Sequence, residues 1–179
     1  PAGINALWSG FGGPCEGVNI GDPIVLYDSV ADRWFISQLS ITAFGGPYGT
    51  CIAISQTPDP TGAYYRYYFQ LSGNTLYDYP KFGVWPDGYY MSANLFYGRN
   101  FWGTAALVFD RARMLQGLSA AYQEFDQYDP DPYYNPITGP LMPSDLDGAT
   151  EPPVGAPNYF ICLPDSAYNL LRLYKFHVD

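Results

Sequence analysis

Basic residues are scarce in this chain. Its 179 residues include 8 Lys and Arg and 1 His against 17 Asp and Glu, a formal net charge of −9. Such a surface repels phosphate backbones and anionic lipid, which argues against nucleic acid or a membrane surface as partner. Cations and neutral ligands such as sugars stay compatible with it. Long apolar runs are missing too. None approaches the roughly 18 residues a spanning helix needs, so no membrane insertion is expected. No signal peptide is visible, and the opening Pro1-Ala2 fits a processed start or a fragment. Cysteine is limited to Cys15, Cys51 and Cys162, at spacings that match no zinc pattern. Several catalytic signatures are also absent. Ser37, Ser55 and Ser92 lie in strand-like stretches with no elbow motif around them. No glycine pattern cradles a phosphate, and no Asn-x-Ser/Thr site is present. The lone His177 sits in the alternating stretch Lys175-Phe176-His177-Val178, where a strand-face role is expected rather than membership of a triad.

What is abundant points to strands. Aromatics make up 18% of the chain, with 18 Tyr, while 19 Gly and 17 Pro supply turns. Residues 23–28, 33–40, 50–56 and 63–70 are each rich in β-branched or aromatic residues and bounded by Gly, Pro, Asp or Asn. They predict one four-stranded antiparallel meander. A second set follows at 81–85, 88–96, 104–110 and 121–125. A shift of 55 residues lays Trp34-Phe35-Ile36-Ser37 on Tyr89-Tyr90-Met91-Ser92, and Cys51 to Ser55 on Ala106 to Asp110. A third, incomplete set gives 158–163 and 169–178. A period near 50 with four strands per unit is the pattern of propeller blades. The expectation is therefore all-β: a partial β-propeller over 1–179, about two and a half four-stranded antiparallel blades. The units fall at about 22–72, 78–126 and 141–179, the last incomplete. A partial blade cannot bury its own faces, so further blades are expected in the same polypeptide or a partner chain. Helix is confined to one or two turns at 110–117, capped by Asp110 and stopped by Gly117. Residues 126–157 read as a long loop.

The motif order adds a resemblance. Cys15 with Asn19 to Asp28, Ala31-Asp32-Arg33-Trp34 and Asp59-Pro60-Thr61-Gly62 belong to it. So do Asp78-Tyr79-Pro80-Lys81, Trp85-Pro86-Asp87-Gly88-Tyr89-Tyr90, Asp110-Arg111, and Asp145-Leu146-Asp147-Gly148 to Pro157-Asn158. The series resembles a family of secreted or cell-surface microbial β-propeller proteins with no settled activity. The resemblance implies the fold and an extracellular location, and no chemistry. Ile54-Ser55 with Thr61-Gly62-Ala63-Tyr64 is more loosely similar to a blade of five-bladed glycosidase propellers, with Ala63 where those carry Pro.

Candidate sites follow from the same frame. Asp22, Asp78 and Asp145 (or Asp147) each stand before the expected innermost strand of a unit. Converging at a channel mouth, they would form a Ca²⁺ site or the acid and base of a glycosidase. The alternative is that each only caps a turn. Glu16, Glu124 and Glu151 read as turn or loop residues, which disfavours a glycosidase. Tyr64, Tyr65, Tyr67 and Tyr68 bracket Arg66 and are expected to pack between units, whereas Tyr133 and Tyr134 in the long loop are a candidate glycan platform. Asp32-Arg33-Trp34 is expected to hold a hairpin turn. Low Lys, abundant Tyr and scarce Met favour an extracellular setting, where Cys15 and Cys51 are the expected disulfide and Cys162 a small buried hydrophobe. The preferred function is a non-catalytic extracellular module for binding, adhesion or assembly. The alternatives are a carbohydrate-active enzyme and a calcium-stabilised adhesin.

Overall fold

The computed structural model describes residues 2–17, 19–43, 45–128, 141–148, 150–163 and 169–178. The fold is all-β in its framework. Three antiparallel sheets follow one another along the chain. The first contains β1 (Ile24–Asp28), β2 (Arg33–Ile41), β3 (Tyr48–Ser55) and β4 (Tyr64–Ser72), paired in sequence order. The second contains β5 (Thr75–Trp85), β6 (Gly88–Tyr97), β7 (Asn100–Phe109) and β8 (Tyr122–Tyr128), again in order. The third contains β9 (Met142–Pro143), β10 (Asn158–Cys162) and β11 (Arg172–Phe176). Before β1 come a 3₁₀ turn, Ile4–Trp8, and a short helix α1, Gly13–Gly17; α2, Arg111–Met114, follows β7. Asp110 caps α2 by accepting the Arg113 amide at 3.0 Å, as the sequence predicts.

The second sheet lies between the other two, and its strands show why. Alternate residues of a strand point to opposite faces. Tyr89, Met91, Leu107 and Phe109 pack toward the first sheet, on Phe35, Ile52, Ile54 and Phe69. Tyr90, Ala106 and Val108 pack toward the third, on Phe160, Cys162 and Phe176. A strand buried on both faces reads as a nearly continuous apolar run, which explains Tyr89-Tyr90-Met91 and Ala105 to Phe109. Phe35 sits 4.9 Å from Phe82 and 5.1 Å from Tyr89 between ring centroids. Tyr90 sits 5.4 Å from Phe176.

The sheets repeat one another in orientation. Phe35 of β2 faces the next sheet, and so does Tyr90 of β6, its counterpart at the 55-residue offset. The expected single offset fails on the third strands. Ile54 faces the next sheet, and the residue that does so in β7 is Val108, one short of the expected Phe109. The pairing agrees: Phe35 opposes Ile54, and Tyr90 opposes Val108. A slip of one residue exchanges the two faces of a strand, so sequence similarity alone did not fix that register.

The first strands lie side by side, β1 next to β5 and β5 next to β9. Gly83 permits the second approach, because a Cβ there would collide with the Ser144 carbonyl. The strand predicted at 81–85 begins earlier, at Thr75. Pro80 reads as a breaker, yet it falls in a register shift between Asp78 and Lys81 that spares it a ladder hydrogen bond.

The outer face of the first sheet is covered by the N-terminal segment. Trp8 and Cys15 are fully buried there against Cys51 and Ala53, with Tyr64 and Tyr68 packed around them. The Cys15–Cys51 disulfide fastens the segment to β3. Arg66 donates to the carbonyls of Leu7 and Ser9 at 3.3 and 2.8 Å and lies over the Phe11 ring. The sequence reading foresaw the bond but not the cover, since the segment has no strand periodicity.

Candidate functional site

The most concentrated polar chemistry lies at the end of β1. Asp28 is wholly buried. Its carboxylate accepts from Arg111 Nε and Nη2 at 2.7 and 2.9 Å, from the Tyr89 hydroxyl at 2.9 Å and from the Ala31 amide at 3.0 Å. Arg111 also donates to the Pro86 carbonyl at 3.1 Å. Burial alone would push the Asp28 pKa up. The Arg111 fork and the Ala31 amide outweigh it and hold the pKa below the ordinary carboxylate value. Burial and the neighbouring Asp28 charge push the Tyr89 hydroxyl far above its usual range. Four donors occupy the Asp28 oxygens, leaving none free for a substrate or metal. The pair ties the β1–β2 turn to the start of α2 and so joins the first two sheets. Asp28 and Arg111 stand in the motifs Asn19 to Asp28 and Asp110-Arg111, but the sequence does not reveal their pairing. Nothing local marks two charges 83 residues apart as partners.

The expected carboxylate ring does not form. Asp22 precedes β1 as anticipated, exposed and with a positive φ of 50°. Asp78 lies inside β5 rather than before it, opposite Asn94. Asp145 follows β9 rather than preceding it, and its carboxylate accepts the Val84 amide at 2.7 Å. Asp78 opposes Asn94 and Val84 opposes Tyr89, five residues away on β6, so the backbone that Asp145 holds lies about 16 Å along the sheet from Asp78 at roughly 3.3 Å per residue. Asp147 is exposed beside Asp145. The physical reason is the loop after β9, which turns back along β5 and spends the Asp145 carboxylate on that strand's backbone. Among the described residues, no group of three or more His, Cys, Asp or Glu is disposed to hold a metal ion. Partial burial of the Asp145 carboxyl raises its pKa, helped by Asp147 and Asp28 and opposed by the Val84 amide.

Other sequence candidates have structural partners. Glu16 accepts from the amides of Gly10 and Gly12 at 2.9 and 2.7 Å. Glu124 lies in β8, not in a loop, and accepts from the Tyr77 hydroxyl. Asp32 accepts from the Tyr27 hydroxyl, Arg33 donates to the Asp32 carbonyl at 2.7 Å, and Trp34 donates to the Pro58 carbonyl at 2.9 Å, so this turn is structural. Tyr67 packs toward the second sheet, and Tyr64 and Tyr68 pack under the N-terminal cover. Cys162 is buried and free, as expected. Tyr133 and Tyr134 lie outside the described residues.

Two surface features stand out. At the β6–β7 hairpin, Tyr97, Phe101 and Trp102 are exposed, with Tyr97 and Trp102 edge to face at 6.0 Å. The turn residues Gly98 and Arg99, followed by Phe101-Trp102, were the available sequence signal. Between the second and third sheets runs a groove of about 290 Å³, lined by Phe125, Phe160, Tyr174, Lys175, Phe176 and His177 among others. Among the described residues, no helix is long and apolar enough to cross a membrane. Compared with family models, curated proteins and solved structures, the chain matches none of them.

Proposed function

We propose that the three sheets are successive blades of an extracellular β-propeller, and that the chain is a non-catalytic module for binding, adhesion or assembly. The observation that carries this is orientational: Phe35 and Tyr90 present the same face to the following sheet, while the first strands lie beside one another. A closed two-sheet sandwich would instead turn like faces toward each other. The disulfide fits an oxidising compartment. The resemblance to secreted microbial propellers agrees with both points. In this reading the remaining blades come from the same polypeptide or a partner chain.

The surface offered to a ligand is aromatic, and exposed rings such as Tyr97 and Trp102 suit stacking on the C–H faces of sugars. A glycosidase is disfavoured because Asp78 and Asp145 stand too far apart for paired acid and base work. The test is a panel of polysaccharides scored for retention and for released reducing ends. Retention without hydrolysis, weakened by Trp102→Ala, is expected. Hydrolysis that disappears in Asp78→Asn would overturn the reading.

A further inference from the structure

We propose that the N-terminal cover seals an internal water site against the first sheet, held by Trp8, Ser40 and Tyr68, and that this water fastens the cover alongside the Cys15–Cys51 disulfide. The inference does not depend on the blade reading. Trp8 Nε1, Ser40 Oγ and the Tyr68 hydroxyl are closed off from solvent and have no hydrogen-bond partner among the described residues. Trp8 and Ser40 are fully buried. Burial also pushes the Tyr68 pKa above its usual value. Buried polar atoms in native proteins are almost always paired, with ordered water where no protein group reaches them.

The strand pattern brings the three groups to one face. Ser40 points the same way as Gln38 on β2, and the Gln38 side chain donates to the Cys15 carbonyl of α1 at 3.4 Å. Ser40 opposes Gly49 of β3. The Tyr68 ring lies over Gly49, where a Cβ would stand 2.6 Å from Tyr68 Cε2. Trp8 packs in the same layer, with Cys15 and Cys51 and with Tyr68 against them. The indole can only donate, whereas the two hydroxyls can donate or accept. Water matches that set, because it accepts from the indole and one hydroxyl and donates to the other. None of the three groups is charged, so the site selects a neutral occupant.

The polarity is particular to this interface. At the 55-residue offset, Gln38 and Ser40 correspond to Ala93 and Leu95 of β6. Both lie in the apolar core where the second sheet packs on the first. A face that meets another sheet is apolar at these positions, and the face that meets the cover is polar. A bridge from Trp8 to Ser40 and Tyr68 would tie the cover to β2 and β4, while the disulfide ties it to β3.

The test uses the intact, oxidised chain. Relaxation dispersion of the water oxygen nucleus reports long-lived internal water without interference from exchanging hydroxyl protons. Cross-peaks between water and the Trp8 indole proton place it. A long-lived water at that proton is expected, and Ser40→Ala and Tyr68→Phe should each lower the dispersion amplitude. Tyr68→Phe should also raise the unfolding equilibrium constant about fivefold, because it breaks a bridge. Equal amplitudes in the wild-type chain and both variants would overturn the proposal. So would a Tyr68→Phe chain as stable as the wild type or more so, since removing a dry, unpaired hydroxyl costs nothing.

Discussion

At the residue scale, stability is concentrated where charge is buried. Asp28, wholly buried, and Arg111, largely buried, form a bidentate pair, and removing one partner strands the other. Asp28→Ala should cost about 3–5 kcal/mol in denaturant unfolding, and the double change Asp28→Ala with Arg111→Met should recover part of that. A double variant no more stable than the single one would show that the charge left behind is not the cause. The acid behaviour follows in sign. The folded-state pKa of Asp28 is depressed, so its contribution is complete above the unfolded value of about 3.9 and lost as pH falls through the lower folded value. Stability measured downward from pH 5 should therefore fall more steeply in the wild-type chain than in Asp28→Asn. Asp145 has the opposite sign. Its pKa is raised, so ionisation works against folding as pH rises from its unfolded value through its folded one. Asp145→Asn keeps an acceptor for the Val84 amide and should leave stability at pH 7 unchanged or slightly higher, within about 0.5 kcal/mol. A loss above about 1 kcal/mol would show that the charge itself matters.

At the element scale, the N-terminal segment is the piece with least periodicity and most anchoring. The disulfide spans a sequence separation of 36, which by loop-closure entropy is worth about 2–4 kcal/mol. Cys15→Ser with Cys51→Ser should lower stability by that amount and shift the emission of the buried Trp8 to the red as the cover loosens. Unchanged emission would mean that Trp8 packing alone holds the segment. Most strands were legible because they follow simple rules: β-branched and aromatic runs bounded by Gly, Pro, Asp or Asn. The departures have particular causes. The first part of β5 was hidden by Asp78 and Pro80, which read as a boundary but sit in a bulge. The cover over the first sheet was hidden because 3₁₀ and single-turn segments leave no repeating pattern. The candidate carboxylates were misplaced for a related reason. Position before or after a two-residue strand such as β9 cannot be told from composition, and that decides which end of β5 Asp145 reaches.

At the scale of the whole molecule, the repeat is the claim on which the rest depends. Similarity at 55 residues indicated successive four-stranded units, and three antiparallel sheets of four, four and three strands stand in that order. Similarity did not reveal which face of each strand meets which neighbour, because face is a parity, and one residue gained or lost in a hairpin inverts it. Tyr89 and Tyr90 hold the answer. They are adjacent in sequence and serve different sheets, Tyr89 on Phe35 and Tyr90 on Phe160 and Phe176. The most direct measurement is a nuclear Overhauser experiment on the two rings in the intact chain. Cross-peaks from Tyr89 to Phe35, and from Tyr90 to Phe160 and Phe176, are the result this account requires. Cross-peaks from both rings to a single sheet, or from Tyr90 to Phe35, would contradict it.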